Sequence, residues 1–175
     1  MSNVVIEEHF RKLKSIPTGG NMTVSEGKKA PDFTLTDKDG VAHTLSKIES
    51  GHIVLYFYPK DDTPGCTLEA KDFSDILDEF RNADTLVIGV SCGDDKSKAK
   101  FCAKHNLKIL LLSDPEFETS KKYGLYGKKT FMGKEYMGIS RTTYVLDAKK
   151  NVLRIFENVT PKGHAQEVLE FIEQL

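Results

Sequence analysis

Hydrophobic positions along the chain follow two rhythms. The six residues Ile53–Tyr58 of "HIVLYFY" are apolar without a break, which predicts a strand covered on both faces at the centre of a parallel or mixed sheet. "DTLVIGVS" and "KILLLS" predict two more strands. Phe73, Ile76, Leu77 and Phe80 recur at helical spacing through "CTLEAKDFSDILDEFRNA", predicting one helix. "DDKSKAKFCAKHN" predicts a polar, exposed helix capped by Asp94 or Asp95. "DPEFETSKKYG" predicts a helix capped by Asp114, with Pro115 in its first turn and Gly124 at its end. "FTLTDKDGVAHTLS" reads as a hairpin turning at Asp-Gly, and "RTTYVLD" with "NVLRIFE" as a second hairpin. A closing helix in "GHAQEVLEFIEQL" turns Val168, Leu169 and Ile172 inward. Strands alternating with helices predict an α/β fold, a three-layer sandwich. Residues 1–22 stand apart as an extension, a short helix in "IEEHFRKLKSI" and a linker in "PTGGN"; residues 23–175 form the domain.

Composition narrows the function classes. The chain has 175 residues, 39% hydrophobic and 29% charged, which suits one globular domain. Lys plus Arg is 25 against 26 for Asp plus Glu, so no charge excess points to nucleic acid or an anionic membrane. The longest apolar run, six residues, is far too short to cross a bilayer. The acidic start "MSNVVIEEHF" lacks the basic and apolar regions of a secretory signal, and the expectation is a cytoplasmic protein.

The candidate chemistry is a single sulfur. The cysteines are Cys66, Cys92 and Cys102, with no Cys-x-x-Cys, which argues against a disulfide framework and the usual zinc knuckles. The five histidines show no ligand spacing and read as surface or capping residues, so no metal site is expected. Cys66 differs from the other two. Most free cysteines are small buried hydrophobes. This one sits in "YPKDDTPGCT", where a buried strand meets a helix. Thr63 fits the cap, Pro64 the first helical position, and Cys66 the first turn. The free N–H groups and dipole of a first turn favour a thiolate.

Pro59-x-x-x-Thr63-x-x-Cys66 resembles the peroxiredoxin active-site signature, and "FYPKDDTPGCTLEAKDF" with "FMGKEYMGISRTTYVLD" is similar to the Q-type, bacterioferritin-comigratory group. The likeness spans about residues 24 to 175. It implies a thioredoxin-like fold with a mixed central sheet and a thiol peroxidase acting on hydrogen peroxide or organic hydroperoxides. Cys66 would be the nucleophile that becomes a sulfenic acid, Thr63 would hydrogen-bond the peroxide, and Pro59 would shield the pocket. Arg141 would bring its guanidinium to the sulfur and the peroxide. No metal or organic cofactor is implied. Thioredoxin or another dithiol would regenerate the enzyme, a monomer or weak dimer.

A thiol of pKa about 8.5 is ionised to about 3% at pH 7, so full ionisation gains at most roughly 30-fold, about 2 kcal/mol. Fast peroxide reduction must therefore draw on donors that stabilise the transition state. The pattern also departs from the group. Many members carry a second cysteine five residues on, where this chain has Lys71. Cys102 is the first candidate to resolve the sulfenate, as in a similar subset of the group; Cys92 and an external thiol remain open. A redox sensor or chaperone-like protein is the competing class, but it needs only the cysteine. Glu69 is expected either to brace the active-site loop or to be solvated. Lys60, Asp61 and Asp62 are expected on the surface, and Phe131, Met132, Tyr136 and Met137 in core or loop packing or else lining the peroxide entrance or a partner surface.

Overall fold

The computed structural model describes residues 24–175; the extension and helix expected before them lie outside the described residues. Strands β1 (Thr34–Thr36) and β2 (Ala42–Thr44) form the first hairpin. They are followed by β3 (His52–Phe57), helices α1 (Pro64–Asp75) and α2 (Leu77–Asn82), and β4 (Thr85–Ser91). Helix α3 (Asp95–His105), β5 (Leu110–Ser113) and α4 (Glu118–Lys122) come next. Strands β6 (Tyr126–Phe131), β7 (Lys134–Ile139), β8 (Thr142–Asp147) and β9 (Val152–Phe156) lead to α5 (His164–Glu173).

Seven strands form one sheet in the order β2-β1-β5-β4-β3-β8-β9. β3, β4 and β5 are mutually parallel, while β8 runs antiparallel to β3 and β1 to β5. The unbroken apolar run of β3 has the cause expected of it, since both its faces are buried. Val54, Tyr56 and Tyr58 pack with Phe73, Phe80, Phe101 and Val168 under α1, α2, α3 and α5. Ile53, Leu55 and Phe57 pack on the other face with Tyr123, Leu125 and Ile139, around α4 and the adjoining segments. This is a thioredoxin-like sandwich with a mixed sheet. Among the described residues no helix is long and apolar enough to cross a membrane.

Several local expectations change. The helix expected from Cys66 to Ala83 breaks at Ile76, whose backbone leaves helical geometry (φ −111°, ψ 19°) so that Leu77 and Phe80 can turn into the core. Asp114 does not cap a helix beginning at Pro115. Its carboxylate accepts from the Thr119 and Ser120 amides, and α4 starts at Glu118 behind Phe117 in the left-handed region. Helix α3 is not uniformly exposed. Asp94 caps it by accepting from Ser97 N, while Lys98, Phe101 and Cys102 form a buried stripe. His164 is buried rather than superficial, between Phe73 and Phe156, with its Nε2 2.7 Å from the Thr143 hydroxyl. The segment read as core or loop packing forms a separate β6–β7 hairpin, turning at Met132 and Gly133 with positive φ and leaving Phe131 and Met132 exposed.

Candidate active site

Strand β3 ends at Phe57, and the loop through Pro59, Asp61 and Thr63 leads into α1. Pro64 occupies the first helical turn, where its fixed φ fits and no N–H is wasted. Cys66 follows in that turn and is almost wholly buried, 1% exposed. The first helical bond runs from Thr67 N to Thr63 O, so the Gly65 and Cys66 amides have no carbonyl within the helix to reach. Thr63 stands at the cap position, but its side chain does not cap. Its hydroxyl donates to Lys60 O at 3.0 Å, which consumes the proton and leaves the oxygen's lone pairs free to accept.

Arg141, 75 positions away and next to the start of β8, completes the site. Its Nη2 lies 3.3 Å from Cys66 Sγ and its Nη1 donates to Glu69 Oε1 at 3.0 Å. Gly65 permits this approach, since a Cβ there would stand 3.3 Å from Nη2 and 3.5 Å from Pro161. Glu69 is neither solvated nor a brace for backbone. It is fully buried one turn below Cys66, with Oε2 unpartnered. Burial works against the charge of Arg141, but Cys66 and Glu69 outweigh it and hold the guanidinium above its ordinary pKa. One cation thus faces two acids. Burial pushes the Glu69 carboxyl up to about 7, against the pull of Arg141.

The sign of that shift makes a stability prediction. A carboxyl with a raised folded pKa lends stability below its unfolded value of 4.5 and loses it as pH climbs through about 7. Relative to Glu69→Gln, the wild type should lose about 3 kcal/mol between pH 4.5 and 8, read by urea unfolding at several pH values. A difference independent of pH would show that Glu69 is ionised throughout.

The other sulfurs are placed differently. Cys92, half-buried just after β4, donates to Pro59 O at 3.5 Å on the back of the active-site loop. Cys102 is 8% exposed, not on an open surface, and borders a cavity of about 330 Å³ with Leu86 and Val87 near the beginning of β4. Burial pushes its thiol up, only partly offset by Lys38. All three cysteines are free thiols. Asp61, expected on the surface, is buried against Lys98; Lys98 escaped sequence reading, and Glu69 was singled out there but not as the partner of Arg141. The i, i+3, i+4 spacing of Lys98, Phe101 and Cys102 was the available signal for a buried face. Among the described residues no group of three or more ligating side chains could hold a metal ion.

A buried cysteine at a helix start, faced by a guanidinium on a thioredoxin-like sheet, defines a thiol-based redox enzyme. Residues 26–155 match the AhpC/TSA family, and the chain belongs to it. It is 41% identical to the peroxiredoxin Bcp of Bacillus subtilis, over 88% of this chain and 98% of that protein. Among solved structures it is similar to the bacterioferritin comigratory protein of Xanthomonas campestris, described for its alkyl peroxide reduction activity. That likeness has a TM-score of 0.76 and 34% identity, over 81% of this chain and 90% of that one. It is likewise similar to the Xylella fastidiosa PrxQ, with a TM-score of 0.82 and 30% identity, over 88% and 98%. The chain is a thiol-dependent peroxidase of the peroxiredoxin class. Enzymes of this group use peroxides and thioredoxin-like reductants.

Proposed function

We propose that Cys66 is the peroxidatic nucleophile and that Arg141 activates both the sulfur and the peroxide. The observation that carries this reading is the 3.3 Å approach of Arg141 Nη2 to Cys66 Sγ. The thiolate attacks the terminal oxygen of a hydroperoxide. An S–O bond forms, the O–O bond breaks, and the departing alkoxide (or hydroxide) leaves as alcohol (or water) after taking up a proton. Negative charge moves from sulfur to the departing oxygen, so a guanidinium able to reach both lowers the barrier. Thr63 Oγ1 accepts the peroxide O–H, because its own proton is held by Lys60 O. The Gly65 and Cys66 amides supply further donors. Pro59, half-buried at the end of β3, keeps bulk water from the sulfur. Organic hydroperoxides are included among the substrates, which the activity described for the Xanthomonas relative supports.

Cys102 resolves the sulfenic acid: its sulfur displaces the hydroxyl, an S–S bond forms and water leaves. A thioredoxin-like dithiol then reduces the disulfide. Both sulfurs are buried, Cys66 in the first turn of α1 and Cys102 toward the end of α3, and a disulfide needs their Cα atoms within about 7 Å. Segments of α1 and α3 must open first.

Peptide mapping of protein treated with one equivalent of peroxide tests the assignment. A 66–102 bridge in wild type, and accumulation of Cys66 sulfenic and sulfinic acids in Cys102→Ser, are the expected results. A 66–92 bridge, or intermolecular adducts alone, would overturn the role of Cys102 while leaving that of Cys66 intact.

A further inference from the structure

The mechanism leaves unexplained a fully buried lysine. Lys98 Nζ lies 2.9 and 3.1 Å from the two carboxylate oxygens of Asp61, and also donates to Gly93 O at 3.1 Å and Ser91 O at 3.4 Å. Tyr58 OH and Ser97 Oγ each donate to Asp61 at 2.6 Å, so the carboxylate is saturated. Gly93 makes room for it, because a Cβ there would stand 2.0 Å from Asp61 Oδ2. The two ends of this pair have telling positions. Asp61 lies in the loop five residues before Cys66, and Lys98 lies one helical turn before Cys102. Next to it, Asp62 is gripped by Lys104 Nζ and His105 Nε2, both at 2.7 Å, from the far end of the same helix.

We infer that the Asp61–Lys98 pair is a latch that holds the nucleophile loop and α3 together, and that its release sets how often the sulfenic acid is resolved rather than overoxidised. The inference rests on the reading of Cys102 as the resolving cysteine. The Cys66 sulfenic acid has two fates. It condenses with the Cys102 thiol, losing water, or a second peroxide adds an oxygen to give sulfinic acid and an alcohol. Only the first requires α3 to open. A buried ion pair suits a catch of this kind. Both charges regain their hydration when the helix opens, so the pair specifies the closed form without holding it hard. Removing one partner has the opposite character, leaving an uncompensated charge that only opening can hydrate.

Two measurements separate the latch from the resolver. In Lys98→Met, amide hydrogen exchange along α3 in the reduced protein should accelerate about tenfold or more, and the ratio of disulfide to sulfinic acid at a fixed peroxide excess should rise by a similar factor. Asp61→Asn should move both in the same direction and serves if Lys98→Met fails to fold. Asp61→Asn/Lys98→Met, which removes both charges at nearly constant volume, should place both quantities between those of wild type and the single variants, because the link is gone but no uncompensated charge remains. Unchanged exchange in a folded single variant overturns the latch, as does a double variant as closed as wild type. If exchange responds as stated but the ratio does not, the pair is a structural brace and the proposed control of resolution is wrong. Absence of a 66–102 bridge in wild type would instead sink the resolver, which hydrogen exchange in the reduced protein does not depend on.

Discussion

Arg141→Ala is expected to lower the second-order rate constant for peroxide reduction by about 10²- to 10³-fold, roughly 3 to 4 kcal/mol of transition-state stabilisation. The loss should exceed what the thiolate alone explains. Ionising an ordinary thiol completely gains no more than roughly 30-fold at pH 7. The remainder belongs to the O–O bond, where the guanidinium meets charge as it arrives on the departing oxygen. Stopped-flow measurements at pH 7 and again near pH 9.5 divide the two contributions. An ordinary thiol is largely ionised at the higher pH, so a transition-state deficit of at least tenfold should persist there. If the deficit vanishes there, Arg141 acts only on ionisation and the transition-state role is wrong. Arg141→Lys should recover little, because a single ammonium cannot hold Glu69 at 3.0 Å and the sulfur at 3.3 Å in one plane. The variant also leaves Glu69 buried without its cation, so Arg141→Ala/Glu69→Gln is the control for any loss of folding.

Cys66→Ser should abolish peroxide turnover outright while leaving the fold in place. Serine nearly matches the volume of cysteine, so the packing around position 66 in the main core survives. Its hydroxyl stays protonated at any working pH and provides no soft nucleophile for the O–O bond. Coupled turnover with a dithiol reductant should fall to the uncatalysed rate, and Cys102 should remain reduced after exposure to peroxide. Turnover clearly above that rate would mean that Cys92 or Cys102 attacks peroxide directly. Such a result would conflict with the burial of Cys102 and its raised thiol pKa.

Much of this enzyme is legible in local patterns. The continuous apolar run of β3 reports that both its faces are covered, whatever covers them. The Asp-Gly turn makes the first hairpin, with Gly40 at φ 76°, because the turn needs a residue free to take positive φ. Thr63, Pro64 and Cys66 lie at the helix start expected of them, since caps and prolines act over a few residues. The roles given to Pro59, Thr63 and Arg141 came from a resemblance; periodicity has nothing to say about them.

What escaped local reading is the fate of charged side chains. Asp61, Glu69, Lys98 and His164 all look like surface residues in one dimension, and all four are buried. A charge or a polar ring enters a core only when a partner reaches it from elsewhere. Lys98 comes to Asp61 across 37 positions, Arg141 to Glu69 across 72, and Thr143 to His164 across 21. Hydrophobic periodicity and turn chemistry act over a few residues, so the chain itself determined the seven strands of the main sheet, the β1–β2 and β8–β9 hairpins and a cysteine at the mouth of a helix. Which charges are buried, and which guanidinium faces the sulfur, was decided only when distant segments packed and excluded water together, because the energy of a buried charge depends on its three-dimensional neighbours.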